Sequence, residues 1–533
     1  MNTRLFSLAG LSLVGMFLTT TSFAQSIYGG PAPHAGFAYG ASEVSPVAGV
    51  AEVATPAVRA DWSGNTPASL TSYSTNASAN LGAAPCGGAA PKCDCKKMEA
   101  LSKAVKGAYK GVFYDNNFDY LCDPCYCEWW PGDMLKHNCL LDGLIRWDVG
   151  GQFRMRQHAE RNMRGLGLTG RDDDFLLYRT RAYANVEISD WFRAYAELND
   201  AESNYENFAP RPIEEDRMEA LNLFGDVKLF EGDRGALWAR VGRQELLYGQ
   251  QRVLSPLDWA NTRRTFDGAK AFWRGEDWNL DVFYTRPVRN VNNQFNSSIQ
   301  TQEFMGGWST YKGFEDQTWD FYYLRFNNAA TGAKFDTAGC NWNGSHGAWL
   351  FDMSGANQWG SLGTVSHQAG FTTTGVGRKF ENLPWSPALW GYFDWASGSP
   401  TLGNGFDHLF PLAHKYLGFM DLYGRRNIND ANVLLTMKPA SNVTLLAWYH
   451  MFRLEQGTDV PYTVVMTPFV TTPGGSKDLG EEIDTIISWD VNERWNMLFG
   501  YSHYFAGSFY DTNPAVPFNG DADFFYTQST WNF

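Results

Sequence analysis

From Leu144 onward the chain alternates apolar and polar residues with a period of two, and the polar faces carry long charged side chains. In the first segment Ile145, Trp147, Val149, Phe153 and Met155 share one face, opposite Arg146, Asp148, Gln152, Arg154, Arg156 and His158. The second sets Leu176, Tyr178, Ala182, Ala184 and Val186 against Arg179, Arg181, Asn185 and Glu187. A third sets Phe192, Ala194, Ala196 and Leu198 against Arg193, Tyr195, Glu197 and Asn199. Period two belongs to strands, whose successive side chains point to opposite faces. A soluble sandwich would bury the apolar faces in a core. Consecutive strands with so much charge opposite suit a wide, water-filled lumen better. The expected fold is therefore all-β, a transmembrane antiparallel barrel over 144–533.

Short turns fall around Ser189-Asp190, Gly275-Glu276, Pro439-Ala440-Ser441 and Val491-Asn492. Long loops are expected near 159–172, 203–215, 250–261, 288–303, 399–428, 456–478 and 507–520. Short turns on one rim and long loops on the other are the two ends of an outer-membrane barrel. The segments count to about eighteen strands, with sixteen as the alternative because 328–366 parses poorly. Barrels of that size leave an aqueous channel. An aromatic fraction of 16% with 21 Trp, beside a negative mean hydropathy, fits aromatic girdles around a wet interior. The net charge of -14 argues against nucleic-acid binding.

The N-terminus reads as an address. Arg4, the apolar run Leu5 to Phe17 and Ser22-Phe23-Ala24 form a signal peptide over 1–24. No later apolar stretch is long enough for a membrane helix. Phe525, Thr527, Ser529, Trp531 and Phe533 share one face of a final strand, similar to the signal read by the barrel-insertion machinery. The expected location is the outer membrane, with its lipid and that machinery as partners. Residues 25–95 form a linker poor in large apolar residues. Residues 96–143 form a Cys-rich periplasmic region that could meet the cell wall or an envelope partner. There, Met98, Leu101, Val105 and Tyr109 predict a helix from Lys96 to about Tyr114, ringed by Lys96, Lys97, Lys103, Lys106 and Lys110. Cys86, Cys93, Cys95, Cys122, Cys125, Cys127 and Cys139 read as disulfide-forming in an oxidising compartment, in preference to a metal site. Cys340 is either an eighth partner or a free thiol.

About two thirds of the Lys and Arg after residue 143 lie between 144 and 293, and nearly all of those are Arg. A guanidinium binds carboxylate or phosphate bidentately and stays charged, which suits a polyanion track. Arg154, Arg156, Arg179, Arg181, Arg193 and Arg240 are the pore-lining candidates, followed by Arg243, Arg263, Arg264 and Lys270 near Gly242, where the alternation falters. Glu187, Glu197, Asp226 and Asp267 are expected to pair with some of them. A lattice that stiffens the lumen and a track for solute are both open readings. Lys415, Arg425 and Arg426 lie in a long loop read as a surface loop, with a gate folded into the mouth as the alternative. Asp172-Asp173-Asp174 reads as a solvated turn, with Ca²⁺ binding as the alternative; no other cofactor is expected. His158, His450 and His503 are expected to face the lumen or an interface. No nucleophile–His–acid constellation stands out, so no enzyme is expected.

The stretches FRMRQHAERN (Phe153 to Asn162), DDDFLLYRTRAY (Asp172 to Tyr183), VGRQELLYGQQRVLSPLDWANTRRTFDGAK (Val241 to Lys270), HKYLGFMDLYGRRN (His414 to Asn427) and GYSHYFAGSF (Gly500 to Phe509) are similar to the alginate-export family of outer-membrane barrels. The resemblance covers about three quarters of the chain, and the Cys-rich N-terminal region departs from it. It implies a monomeric eighteen-strand barrel with an arginine-rich, electropositive pore for a polyuronate. The expected function is passage or binding of an anionic solute, an acidic polysaccharide such as alginate or smaller anions. A general porin and a structural barrel tied to the cell wall through the N-terminal region are the alternatives.

Overall fold

A computed structural model describes residues 95–533 apart from 127 and 129. The signal peptide, the linker, Cys86, Cys93 and Cys127 lie outside the described residues.

The strands are β1 (Ile145–Arg161), β2 (Asp173–Ile188), β3 (Phe192–Asn204), β4 (Asp216–Gly232), β5 (Gly235–Gln244), β6 (Phe266–Gly275), β7 (Trp278–Arg289), β8 (Gln302–Tyr311) and β9 (Gln317–Asn328). They continue as β10 (Ala333–His346), β11 (Trp349–Leu362), β12 (Val365–Lys379), β13 (Ala388–Ala396), β14 (Ile428–Ala440), β15 (Val443–Leu454), β16 (Asp478–Asn492), β17 (Trp495–Ala506) and β18 (Ala522–Asn532). Each pairs antiparallel with its neighbour in sequence, and β18 returns to β1 from Gln152↔Asn532 to Arg161↔Asp523. The result is a closed 18-strand barrel with no free edge. Phe533 and Gly151 exchange backbone hydrogen bonds of 2.8 and 2.9 Å across the seam.

The alternation seen in the sequence is the wall. Phe153, Met155, Val282, Tyr284, Phe321, Ile487 and Phe525 all stand on the outer face, and Val241 there is 65% exposed. Such rows on every side have no place in water and meet hydrocarbon in a bilayer. No helix among the described residues is long and apolar enough to cross a membrane. The poorly parsed stretch 328–366 resolves into tight hairpins turning at Gly332, Gly347 and Gly363, all with positive φ. Its strands carry Gly, Asn, Ser and Thr on both faces, so period two had little hydropathy contrast to reveal it.

The interior is packed. Residues 245–265 between β5 and β6, and 397–427 between β13 and β14, turn inward. Leu254 and Phe410 form a parallel bridge between these loops, flanked by Ser255 N–H to Phe410 O at 2.8 Å and Phe410 N–H to Val253 O at 3.0 Å. Leu246, Leu257, Trp259, Phe406, Leu409 and Leu422 join inward residues such as Phe266, Phe304 and Trp390 in one apolar core. The surface-loop reading of Lys415, Arg425 and Arg426 is thereby corrected. Arg425 and Arg426 are buried, paired with Asp394 and Asp407. The reason is apolar: a loop with that many large side chains gains more by filling the lumen than by facing water.

At the short-turn end, helix α1 (Cys95–Lys106) is followed by an irregular segment inside the barrel mouth. The expected helix to Tyr114 stops at Lys106. Gly107 and Gly111 weaken its continuation, and Val112, Phe113 and Tyr114 are buried against the wall residues Tyr183, Tyr195 and Phe224. A three-residue strand, Asn138–Leu140, then pairs with the start of β1. Cys122, Cys139 and Cys340 are free thiols, Cys340 on the outer face of β10.

Candidate functional site: the arginine wall and its covers

Alternation on β1, β2, β3 and β5 turns Arg154, Arg156, Arg179, Arg181, Arg193 and Arg240 into the lumen, where all are nearly inaccessible. Arg154 donates to the carbonyls of Asp258, Trp259 and Ala260 at 2.7, 3.1 and 3.0 Å. Arg156 donates to Trp259 O at 3.0 Å and to Gln528 Oε1 at 2.8 Å. Arg179 takes Asp258 O and Asp258 Oδ1, both at 2.9 Å. Arg263, on the inward loop itself, pairs with Glu245 at 2.5 Å and also with Asp258. Arg181 pairs with Glu197 at 2.6 Å, and Asn222 bridges Glu197 and Glu245 at 3.0 Å each. Burial pushes the Asp258 carboxyl up, but Arg179, Arg263 and Arg154 outweigh it and hold the group well below the carboxylate range.

Arg193 and Arg240 share Asp226, and Lys270 lies 3.2 Å from Asp281. Arg264 donates to Ser255 O and Pro411 O, tying the two inward loops together. Arg243 does not join the others. It follows the outward row of Val241 and pairs with Asp267 and Glu219 near the long-loop rim. The four acidic partners named from sequence all pair with arginine: Glu187 with Arg146, Glu197 with Arg181, Asp226 with Arg193 and Arg240, and Asp267 with Arg243. The three aspartates of 172–174 diverge: Asp173 meets Arg164, Asp174 meets Arg161, and Asp172 accepts from Asn162 N–H. His158 and His450 face the lumen, and His503 pairs with Asp523 beside the rim.

The opposite wall is acidic, which the sequence reading missed. Asp352, Asp394, Asp430, Glu482 and Asp484 point inward from β11, β13, β14 and β16. Glu482 and Asp484, two residues apart on one strand face, were the available signal. Arg252 and Arg425 of the inward loops neutralise Asp352 and Asp394. Between the walls runs a stacked bar. The Arg156 guanidinium lies 3.3 Å from the Trp259 ring centre, and Trp259 stacks on His414 at 4.3 Å. His414 then meets Phe419 at 4.8 Å, and Phe419 meets Trp448 on β15 at 5.9 Å. Met420 N–H donates to Glu482 Oε1 at 2.9 Å, fixing the bar to the acidic wall.

At the short-turn rim Arg494 pairs with Asp133 at 2.5 Å and anchors the N-terminal segment. Lys136 is buried beside the Phe118 ring at 5.1 Å. Burial first, then Arg494, lowers its ammonium to about 8, against the pull of Asp133 and Asp148. Once released, the segment would hold this proton up to the ordinary lysine value near 10.4. Docking is therefore penalised below pH 8 and strengthens as pH rises from there toward about 10.4, by at most about 1.4 kcal/mol per unit. Protection of residues 107–126 from protease should rise across that window, and Lys136→Met should flatten the rise. Protection that falls instead would contradict the assignment.

Solved structures with similar architecture are OpdO of Pseudomonas aeruginosa and OccAB1 of Acinetobacter baumannii. OpdO has 10% identity and a TM-score of 0.50, covering 72% of this chain and 97% of that one. OccAB1 has 9% identity and a TM-score of 0.50, covering 73% and 96%. The outer membrane protein OprD from Pseudomonas aeruginosa aligns at 11% identity and a TM-score of 0.45, covering 72% and 94%. At these identities the likeness to OpdO and OccAB1 speaks for the fold alone. A search among curated proteins found no match. The family model described as alginate export matches residues 145–519, the whole run from β1 to the last long loop. With its closed barrel and lipid-facing outer rows, the chain belongs to the alginate export family and is an outer-membrane β-barrel of porin-like build.

Proposed function

We propose that this outer-membrane channel passes or binds an anionic solute along the arginine wall, an acidic polysaccharide such as alginate or smaller anions, and that the structure is its closed state. One observation carries the reading. Arg154 and Arg156 are held by backbone carbonyls of the inward loop and by Gln528, with no carboxylate ion-paired to either among the described residues. A carbonyl is a weaker partner for guanidinium than a carboxylate. If the loop withdraws, Arg154, Arg156, Arg179 and Arg181 face the lumen with Glu197 as the wall carboxylate paired among them. A solute carboxylate can then replace the carbonyls. Catalysis has no part in this reading.

In the same reading the signal peptide delivers the chain, and the barrel-insertion machinery seats it in the lipid. The short-turn rim faces the periplasm, and the Cys-rich region stands there with a disulfide among its cysteines other than Cys122 and Cys139 and a cell-wall partner within reach. Purified protein in planar bilayers should conduct with anion preference and be blocked by polyuronate. Cation preference indifferent to polyuronate rejects the anion track. Liposome swelling by neutral sugars as fast as by uronates would favour a general porin.

A further inference from the structure

The lumen-facing side of β2, β3 and β4 carries three rings in a row. Tyr183 and Tyr195 stack at 5.9 Å and 18°, and Tyr195 and Phe224 at 5.2 Å and 21°. Arg181, Arg193 and Arg240 surround them. Arg240 stands 3.7 Å over the Phe224 ring, and its Nη1 is buried without a hydrogen-bond partner among the described residues. A row of aromatic faces offers flat apolar contact, and guanidinium groups beside it offer paired donors. Together these match a pyranose ring, whose C–H faces stack on aromatics while its carboxylate and hydroxyl oxygens accept.

The chain's own N-terminal segment occupies this place. Asn117 N–H donates to Ala108 O at 3.0 Å and Lys110 N–H to Asn116 Oδ1 at 2.8 Å, closing residues 108–117 into a self-contained loop. Its tip is Phe113 and Tyr114. Arg181 lies 3.7 Å from the Phe113 ring centre, and Tyr114 sets its edge against Tyr195 and Phe224 at 5.8 and 5.2 Å. Tyr114 O accepts from Arg193 Nη1 at 2.7 Å, Tyr114 Oη donates to Glu245 O at 2.9 Å, and Gly111 O accepts from Arg263 at 2.9 Å. The tip thus offers oxygens to the arginines and ring edges to the aromatic row. A small cavity of about 30 Å³ remains beside it, lined in part by Asp115, His137, Arg146 and Glu187.

We propose that Tyr183, Tyr195, Phe224, Arg181, Arg193 and Arg240 form a sugar-carboxylate subsite, and that the 108–117 loop is a tethered occupant displaced by acidic oligosaccharide arriving from the short-turn rim. The proposal rests on the anionic-solute reading above and adds to it the place of binding and the competitor. Occupancy by the tether lowers apparent affinity by the fraction of molecules in which the site is free.

The test uses the full chain in detergent and an oligomannuronate as probe, with a neutral maltooligosaccharide of equal length as control. Oligomannuronate should speed amide hydrogen exchange in 108–117 several-fold, and the neutral sugar should leave it unchanged. The Phe113→Ala/Tyr114→Ala variant should bind oligomannuronate about tenfold more tightly, the competitor having been weakened. Suppose oligomannuronate binds the wild type but neither exchange in 108–117 nor the variant's affinity changes. The tethered occupant is then wrong, while the channel reading survives. If neither protein binds oligomannuronate but both still conduct with anion preference, the sugar-carboxylate subsite is overturned and the channel is for smaller anions.

Discussion

Trp259→Ala is expected to open the barrel, read as a large rise in single-channel conductance with little loss of folded protein. Trp259 is the keystone of the bar, with Arg156 on one face and His414 stacked at 4.3 Å. It also meets Tyr526 of β18 at 5.0 Å. Truncating a buried Trp costs about 3–5 kcal/mol. Here that loss falls on the inward loops, because the wall is held by eighteen hydrogen-bonded strand pairings that do not involve Trp259. Each 1.4 kcal/mol shifts a closed–open equilibrium about tenfold, so the open fraction should rise roughly a hundredfold or more if most of the cost falls on closure. Unchanged conductance in a variant that still runs as a folded barrel would show that the bar does not close the lumen.

Arg154→Met with Arg156→Met should change two properties in opposite senses. Without the two guanidinium groups, the carbonyls of Asp258, Trp259 and Ala260 lose donors, at about 1–3 kcal/mol for each buried acceptor left unpaired. The inward loop should loosen, and total conductance should increase. Anion preference should fall, because each arginine is worth about 1 kcal/mol to an anion 4 Å away in water and about 4 kcal/mol at the lower effective dielectric of a narrow lumen. Two of them together should shift the anion-to-cation permeability ratio by at least about tenfold. Reversal potentials in a salt gradient measure this directly. A variant that conducts more but keeps the wild-type reversal potential would refute the role given to this pair. The acidic wall makes the expected shift larger, since Glu482, Asp484 and Asp430 would then face a lumen short of positive charge.

The lattice and the track read from the sequence turn out to be parts of one arrangement. Asp226 and Glu197 are wall residues that pair with wall arginines across neighbouring strands, and they stay in place whatever the loops do. Asp258 and the carbonyls beside it sit on a loop, so they can leave. The arginines with no carboxylate partner on the wall are those with charge to spare for a solute. That division follows from which element carries each partner, and no inspection of residue types separates the two kinds.

The sequence alone determined the wall. Side-chain direction in a strand is a local property, so the inward placement of Arg154, Arg156, Arg179, Arg181 and Arg193 and the outward placement of Phe153 and Met155 were legible two residues at a time. Arg243 shows the limit of reading by neighbourhood: alternation carries through Gly242 and sets it outward with Val241, so grouping it with the lumen arginines of the same stretch put it on the wrong face. Only the tertiary structure decided what fills the barrel. Arg154 meets Asp258 across 104 positions, and Arg193 meets Tyr114 across 79. Such contacts exist because a cylinder brings distant loops to one axis and offers their apolar residues a place away from water. Whether a loop falls inward depends on the volume left by every other inward side chain, a sum over the whole closed barrel that no local pattern contains.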